Sequence, residues 1–207
     1  MPSIPPARKL TKGHFGRYLV CFPSRKNACQ VICESLLEAD YCLHLEYAEE
    51  VVAYFAQPET MSFLVDGKTA TYTPDFLVET TDSTYYTEVK PDWLKLHPAY
   101  QRKLSIAKDE LSKRQAILHI ADCNSINQGA TLENLKLLYF NSFNVNKEEL
   151  NHCISALSFA SFPLTFQEFL KKYSASPRAV YRCIFDKHLK TDLLLKLTPL
   201  SILEGAA

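Results

Sequence analysis

The sequence predicts an α/β protein: a mixed sheet flanked by helices, followed by a small C-terminal domain of winged-helix outline. Three observations carry this. Strand-like apolar runs cluster between Val51 and Lys90 and recur at "AILHIAD"; helical periodicity precedes and follows that cluster; and beyond about Asn141 the pattern changes to capped helices.

In chain order, residues 1–30, rich in proline and polar groups, read as an irregular arm. From Met1 to Cys33 there is no acidic residue, whereas Arg8, Lys9, Lys12, Arg17, Arg25 and Lys26 are basic, so the arm suits either a phosphate backbone or a solvated tail. A helix is expected from about Ser35, because Leu36, Leu37, Tyr41, Leu45 and Tyr47 follow a 3.6-residue rhythm and Ser35-x-x-Glu38 has capping-box form. "VVAYFAQP", "MSFLV" and "TATYTPDFLVE" read as three strands, with Asp66-Gly67 as a hairpin turn between the last two. "STYYTEVK", dominated by β-branched and aromatic residues, is a further strand.

From Pro98 to Arg114, Tyr100, Leu104, Ala107 and Leu111 form one apolar stripe with Lys103, Lys108 and Lys113 outside it, which predicts an amphipathic helix. Arg102 and Lys103 belong to its charged outer face, and Trp93 before it reads as a packing residue. "AILHIAD" then supplies a buried strand. In the C-terminal part, Asn146 with Glu149, Thr165 with Glu168, and Ser176 with Pro177 each mark a helix start. "DLLLKLT" and "LSIL" read as a small hairpin, completing the winged outline. The expected division is an arm at 1–30, a sheet domain at 31–140 and the winged-helix-like domain at 141–207.

Bulk properties narrow the function. At 207 residues and 47% hydrophobic, the chain can build one compact domain and a small second one. Lys plus Arg number 23 and Asp plus Glu 23, so the strongly basic balance of a self-sufficient nucleic-acid binder is missing. No apolar run is long enough to span a membrane or serve as a signal peptide, which predicts a cytoplasmic protein. Seven cysteines without a Cys-x-x-Cys read as buried free thiols; Cys29-x3-Cys33 with Cys42-x-His44 is the nearest approach to a zinc pattern, and part of it lies in the expected helix.

The chemistry concentrates at "YTPDFLVE" and "YYTEVKP". Alternation along a strand puts Glu88 and Lys90 on one face and Val89 on the other. Asp75 lies in the preceding strand, and the short connection favours pairing of the two strands. Asp75, Glu88 and Lys90 can then converge. Pro74 cannot donate a ladder hydrogen bond, so the strand is expected to be distorted or at an edge near Asp75. Two neighbouring carboxylates repel unless a cation lies between them, and Mg²⁺ is satisfied by one or two carboxylates plus water and phosphate oxygens. That donor set suits phosphodiester cleavage, with Lys90 orienting the attacking water or stabilising the developing oxyanion. The same residues also suit a half-exposed strand with a solvated face and a Pro-Asp turn.

Taken together and in order, "CESLLEADYCLHLEYAEEVVAYFAQPE", "YTPDFLVE" and "YYTEVKP" resemble the TnsA endonuclease subunit of heteromeric transposases, within the PD-(D/E)xK restriction-endonuclease-like superfamily. The resemblance is close from about Cys33 to Pro91, looser to about Leu138, and beyond that a matter of element order. It implies a restriction-endonuclease-like nuclease domain over 31–140 that cuts the 5′ strands of a transposon while a TnsB-like transposase cuts and joins the 3′ strands. It also implies one or two Mg²⁺ ions, with Mn²⁺ as a substitute, double-stranded DNA as substrate, and a TnsC-like ATPase regulator as a further partner. Carried over by position, Glu38 matches the helix glutamate, Asp75 the metal-bridging aspartate, Glu88 the second acidic ligand and Lys90 the catalytic lysine. Some relatives have Gln where this chain has Glu88.

Glu38 has a second role open to it. A Glu three residues after Ser35 closes a capping box, and Glu34, one turn earlier, is the substitute on geometry alone; only the resemblance prefers Glu38. Basic residues placed for DNA are Arg25 and Lys26 in the arm and Arg178 and Arg182, one turn apart on the helix after Pro177 with Lys187 nearby. That last helix equally suits docking of a regulator protein. Two other functions stay open: a stand-alone restriction or repair nuclease, and a non-catalytic adaptor that keeps the nuclease fold.

Overall fold

The computed structural model describes residue 7 and residues 19–65 and 67–205. Its chain divides into two compact units, Met1–Ile126 and Asn127–Ala207.

The first unit opens on an antiparallel hairpin, β1 (Val20–Ser24) and β2 (Cys29–Cys33). Residues 20–30 are therefore ordered strand and turn, not the irregular arm expected of them. The reason lies well along the chain. Buried Glu46 accepts from the Ser24 hydroxyl at 2.5 Å and from the amides of Arg25 at 3.2 Å and Lys26 at 3.3 Å. Asn27 closes the same turn, its side chain donating to the Tyr54 carbonyl at 2.6 Å and accepting from the Tyr54 amide at 3.2 Å. Arg8, Lys9, Lys12 and Arg17 of the expected arm, and Asp66 of the expected turn, lie outside the described residues.

Helix α1 (Leu36–Tyr47) starts where its capping signal places it, with the Ser35 hydroxyl accepting from the Glu38 amide at 3.1 Å. After β3 (Val51–Ala56) come β4 (Met61–Val65) and β5 (Lys68–Tyr72), an antiparallel pair turning through Gly67 at φ +77°. The stretch expected as one strand, "TATYTPDFLVE", is two: β5 ends at Tyr72, and β6 (Phe76–Thr80) begins in another sheet. Pro74 explains the break, since it has no amide to give to either ladder.

Strand β6 lies between β3 and β7 (Thr84–Lys90), antiparallel to both, and β7 runs parallel to β8 (Leu118–Asp122). The order β3-β6-β7-β8 is thus a mixed four-stranded sheet, as predicted. A 3₁₀ turn at Trp93–Lys95 and helix α2 (Pro98–Lys113) make the crossover between the parallel strands, and α3 (Cys123–Ile126) follows β8.

The sheet has two distinct faces. Toward α1 it turns Phe76, whose ring lies 5.8 Å from that of Tyr41, and Thr87, whose hydroxyl is 3.3 Å from the Tyr41 hydroxyl. Toward α2 it turns the alternate residues. There Leu104, Ala107 and Leu111 of α2 pack with Met61, Tyr72 and Leu118 in one buried cluster. Each fully buried Leu in such a cluster contributes roughly 1.5–3 kcal/mol by removal from water.

The second unit contains α4 (Thr131–Asn141), α5 (Lys147–Leu157), β9 (Leu164–Thr165), α6 (Phe166–Tyr173), α7 (Pro177–Phe185), β10 (Leu189–Lys190) and β11 (Ile202–Gly205). The three capping signals read from sequence all form, Asn146 with Glu149 and Thr165 with Glu168 as full capping boxes and Ser176 ahead of Pro177. Helix α4 belongs here because Leu135 and Leu138 are buried and Tyr139 packs on Phe185 of α7, with rings 5.0 Å apart. The boundary accordingly falls after Ile126 and not after residue 140.

The expected hairpin of "DLLLKLT" and "LSIL" is replaced by a three-stranded sheet in the order β10-β11-β9. "DLLLKLT" is a loop. Buried Asn134 holds it, donating to the carbonyls of Leu193 and Leu195 at 2.8 Å each and accepting from the Leu197 amide at 3.0 Å. Those main-chain groups are thereby satisfied without a strand partner. Of the seven free cysteines, Cys33, Cys42, Cys153 and Cys183 are buried, whereas Cys21 and Cys29 are exposed. Among the described residues no helix is long and apolar enough to cross a membrane.

Candidate active site

The register of the sheet builds the site. Phe76 of β6 pairs with Thr87 of β7, so the residue before Phe76 meets the residue after Thr87. Asp75 thus stands opposite Glu88. The Gln57 amide donates to the Asp75 carbonyl at 2.9 Å, which extends the β3-β6 ladder to Asp75, directly after Pro74, and fixes the aspartate backbone. The Asp75 carboxylate accepts from the Val89 amide at 2.8 Å.

Lys90 reaches both acids, its Nζ lying 2.7 Å from Glu88 Oε1 and 3.4 Å from Asp75 Oδ2. The structure therefore brings Asp75, Glu88 and Lys90 to one point, on the sheet face that α2 covers. Glu88 is 1% exposed and Asp75 9%, so neither charge is screened by bulk water. Burial, reinforced by the Glu88 charge, pushes the Asp75 carboxyl up to about 7, against the pull of Lys90 and the Val89 amide. Burial pushes the Lys90 ammonium down, but the charges of Asp75 and Glu88 outweigh it and hold Lys90 above its usual value. Lys90 is accordingly a firm cation here.

Glu38 stands apart. Its carboxylate accepts from the Glu34 amide at 2.7 Å and from the Ser35 hydroxyl at 2.9 Å, so both oxygens close the N-terminus of α1. Burial raises its carboxyl, and Lys90 and Asp75 feel its charge. Glu38 thus joins the cluster through its field, while its oxygens serve the cap. Glu34 contributes its amide to that arrangement.

Sequence reading missed two members of the site. The Tyr72 hydroxyl donates to Glu88 Oε2 at 2.8 Å, and the Tyr100 hydroxyl donates to Glu88 Oε1 at 2.7 Å. Periodicity puts Tyr100 on the apolar stripe of α2, where its ring does lie, and Lys90 Nζ stands 5.6 Å from that ring. A tyrosine on an apolar stripe that faces a strand carrying Glu is the signal that could have found it, because a buried phenol needs an acceptor.

The basic residues proposed for DNA are placed otherwise. Lys26 donates its ammonium to the carbonyls of Ala48 and Val51, the latter at 2.6 Å, so it fastens the hairpin to the loop before β3. The fold thus supplies main-chain acceptors for Lys26 that the linear pattern hides. Arg25 sits half-buried in the same turn. In the second unit Arg178 forks onto Glu149 Oε1 at 2.9 and 2.6 Å, and Arg182 pairs with Asp186 one turn on.

Among the described residues no group of three His, Cys, Asp or Glu side chains is disposed to hold a metal ion. Asp75 and Glu88 do supply two carboxylates that share a single ammonium. With Glu38 nearby the charge of the cluster is negative, and that donor set fits a hard divalent cation completed by water and phosphate oxygens. Two buried acids and a lysine at a strand break of a mixed sheet suit nuclease chemistry. Residues 48–121, from the end of α1 to β8, match the family model described as TnsA-like endonuclease N terminal. That match, over the segment that holds Asp75, Glu88 and Lys90, supports a TnsA-type endonuclease. No curated protein matches the chain.

Proposed function

We propose that this protein is the Mg²⁺-dependent endonuclease subunit of a transposase, cutting the 5′ strands at transposon ends while a TnsB-like partner cuts and joins the 3′ strands. The convergence of Asp75, Glu88 and Lys90 within the TnsA-like segment carries this reading. Asp75 and Glu88 would hold the ion, with Mn²⁺ able to replace it. When bound, it would lower the pKa of the attacking water and offset charge on the pentacovalent phosphate. Lys90, held protonated, serves as a fixed positive charge beside the scissile phosphate, not as a general base. Glu38 adds negative field from the cap of α1. A TnsC-like regulator and the second unit, read as winged-helix-like, complete the assembly; Arg178 and Arg182, already paired within their own unit, make protein docking the better role for that helix.

Excision by the reconstituted transposase tests the proposal, with the two strands scored separately. Asp75→Ala and Lys90→Ala should each abolish 5′-strand cleavage and leave 3′-strand cleavage in place. Unchanged double-strand excision with either variant would remove the idea.

A further inference from the structure

Glu88 is held by more donors than an ion pair requires. Its Oε1 accepts from Tyr100 at 2.7 Å and lies 2.7 Å from Lys90 Nζ, and its Oε2 accepts from Tyr72 at 2.8 Å. The phenols come from different elements. Tyr72 is the last residue of β5, in the two-stranded sheet, and Tyr100 is in the first turn of α2. Each oxygen of one carboxylate is thus fixed by a rigid ring anchored in a separate packed element, with Tyr72 itself 3% exposed.

We propose that Tyr72 and Tyr100 are positioning residues that set the Glu88 carboxylate for cation binding. The inference rests on the nuclease reading above. A carboxylate on a strand has free rotation about its last bonds, and its choice of orientation decides whether its lone pairs point toward Asp75 or away. Two phenol donors approaching different oxygens remove that choice before any cation arrives. Lys90 occupies the remaining direction on Oε1 and can be displaced by a cation, because it has Asp75 as a second partner. The tyrosines have no such freedom, being fixed by their rings.

The test is Mn²⁺ titration of the full chain by calorimetry, without DNA. Tyr100→Phe should raise the dissociation constant about tenfold, and the double variant with Tyr72→Phe should raise it further. Tyr86→Phe serves as control, since the Tyr86 hydroxyl also donates to a carboxylate, that of Glu59, away from the cluster; it should bind Mn²⁺ as the unaltered chain does. Thermal melting in chelator should place Tyr100→Phe and Tyr86→Phe close together, which separates positioning from a general loss of stability. If Tyr72→Phe fails to fold, Tyr100→Phe decides alone, because Tyr100 is only half-buried. Unchanged Mn²⁺ affinity in Tyr100→Phe, with the heat lost in Asp75→Ala, overturns the positioning role and leaves the nuclease reading standing. Undiminished heat in Asp75→Ala overturns the nuclease reading itself, and this inference with it.

Discussion

Two of the buried glutamates in the first unit, Glu46 and Glu88, are held in opposite ways. Under the β1-β2 turn, Glu46 is met by neutral donors: the hydroxyls of Ser24 and Tyr54, the latter at 2.8 Å, and the amides of Arg25 and Lys26. At the β6-β7 junction, Glu88 faces Asp75, and one ammonium serves both. Both sites use a tyrosine hydroxyl on the carboxylate. The difference is in charge balance. Neutral donors around a single acid make a closed structural lock, whereas two acids sharing a lysine leave electrostatic work undone, which a cation can complete. Buried carboxylates therefore need to be judged by what surrounds them, not by burial.

The comparison can be broken most sharply by removing one acid from each place. Asp75→Asn should lower strand cleavage by about 10²–10³-fold or more, while its unfolding free energy in metal-free buffer is equal to or above that of the unaltered chain, since a repulsive charge is gone. Glu46→Ala should do the reverse. It leaves two hydroxyls and two amides without their acceptor, and urea denaturation should show a loss of about 3 kcal/mol or more. Assayed well below its melting temperature, that variant should keep cleavage within about twofold, as expected of a site that shares no partner with the cluster.

A third measurement uses pH. The ordinary aspartate carboxyl titrates at 3.8, and Asp75 in the fold at about 7. Between those values the folded chain binds more protons than the unfolded one, so Asp75 makes stability fall as pH rises through this window, levelling off above 7. Glu38 acts in the same direction, and His44, pushed down by burial, acts in the opposite one as pH rises toward its ordinary value. The difference between the unaltered chain and Asp75→Asn removes the His44 contribution and isolates that of Asp75 together with its coupling to Glu38. It should grow by on the order of 4 kcal/mol across the window in chelator; a difference independent of pH would contradict the electrostatic account of the cluster. The smallest effect belongs to the second unit. Arg178→Ala breaks an exposed fork to Glu149 and should leave the midpoint of urea unfolding where it was.

Much of the first unit was legible because it follows local rules. Alternation placed Glu88 and Lys90 on one face, the short β6-β7 connection placed Asp75 beside them, and Ser35 announced α1. What escaped reading depends on partners far along the chain. The β1-β2 turn is held by Glu46 and Tyr54, more than twenty residues further along the chain than Ser24 and Asn27, so "PSRKN" looks irregular by itself. The carbonyl acceptors of Lys26, on Ala48 and Val51, lie outside its own hairpin, so no local pattern shows them. Tyr100 was hidden by its own double nature: its ring satisfies the apolar stripe, and only the strand opposite reveals what its hydroxyl is for. In the second unit, the capping boxes were readable for the same local reason as Ser35. The loop of "DLLLKLT" was not, since apolar side chains suggest a strand and the decisive residue, Asn134, lies in α4.

The proline that divides β5 from β6 has a further consequence. Tyr72 and Asp75 stand on either side of Thr73-Pro74, one in the small hairpin and the other at the mouth of the large sheet, yet both address the same glutamate. Chain length between them is consequently a gauge: adding or deleting one residue there would carry the phenol or the aspartate out of reach of Glu88. Variation in loop size can be absorbed at the turn following β6, but this two-residue link works as a ruler cut to the spacing of the site.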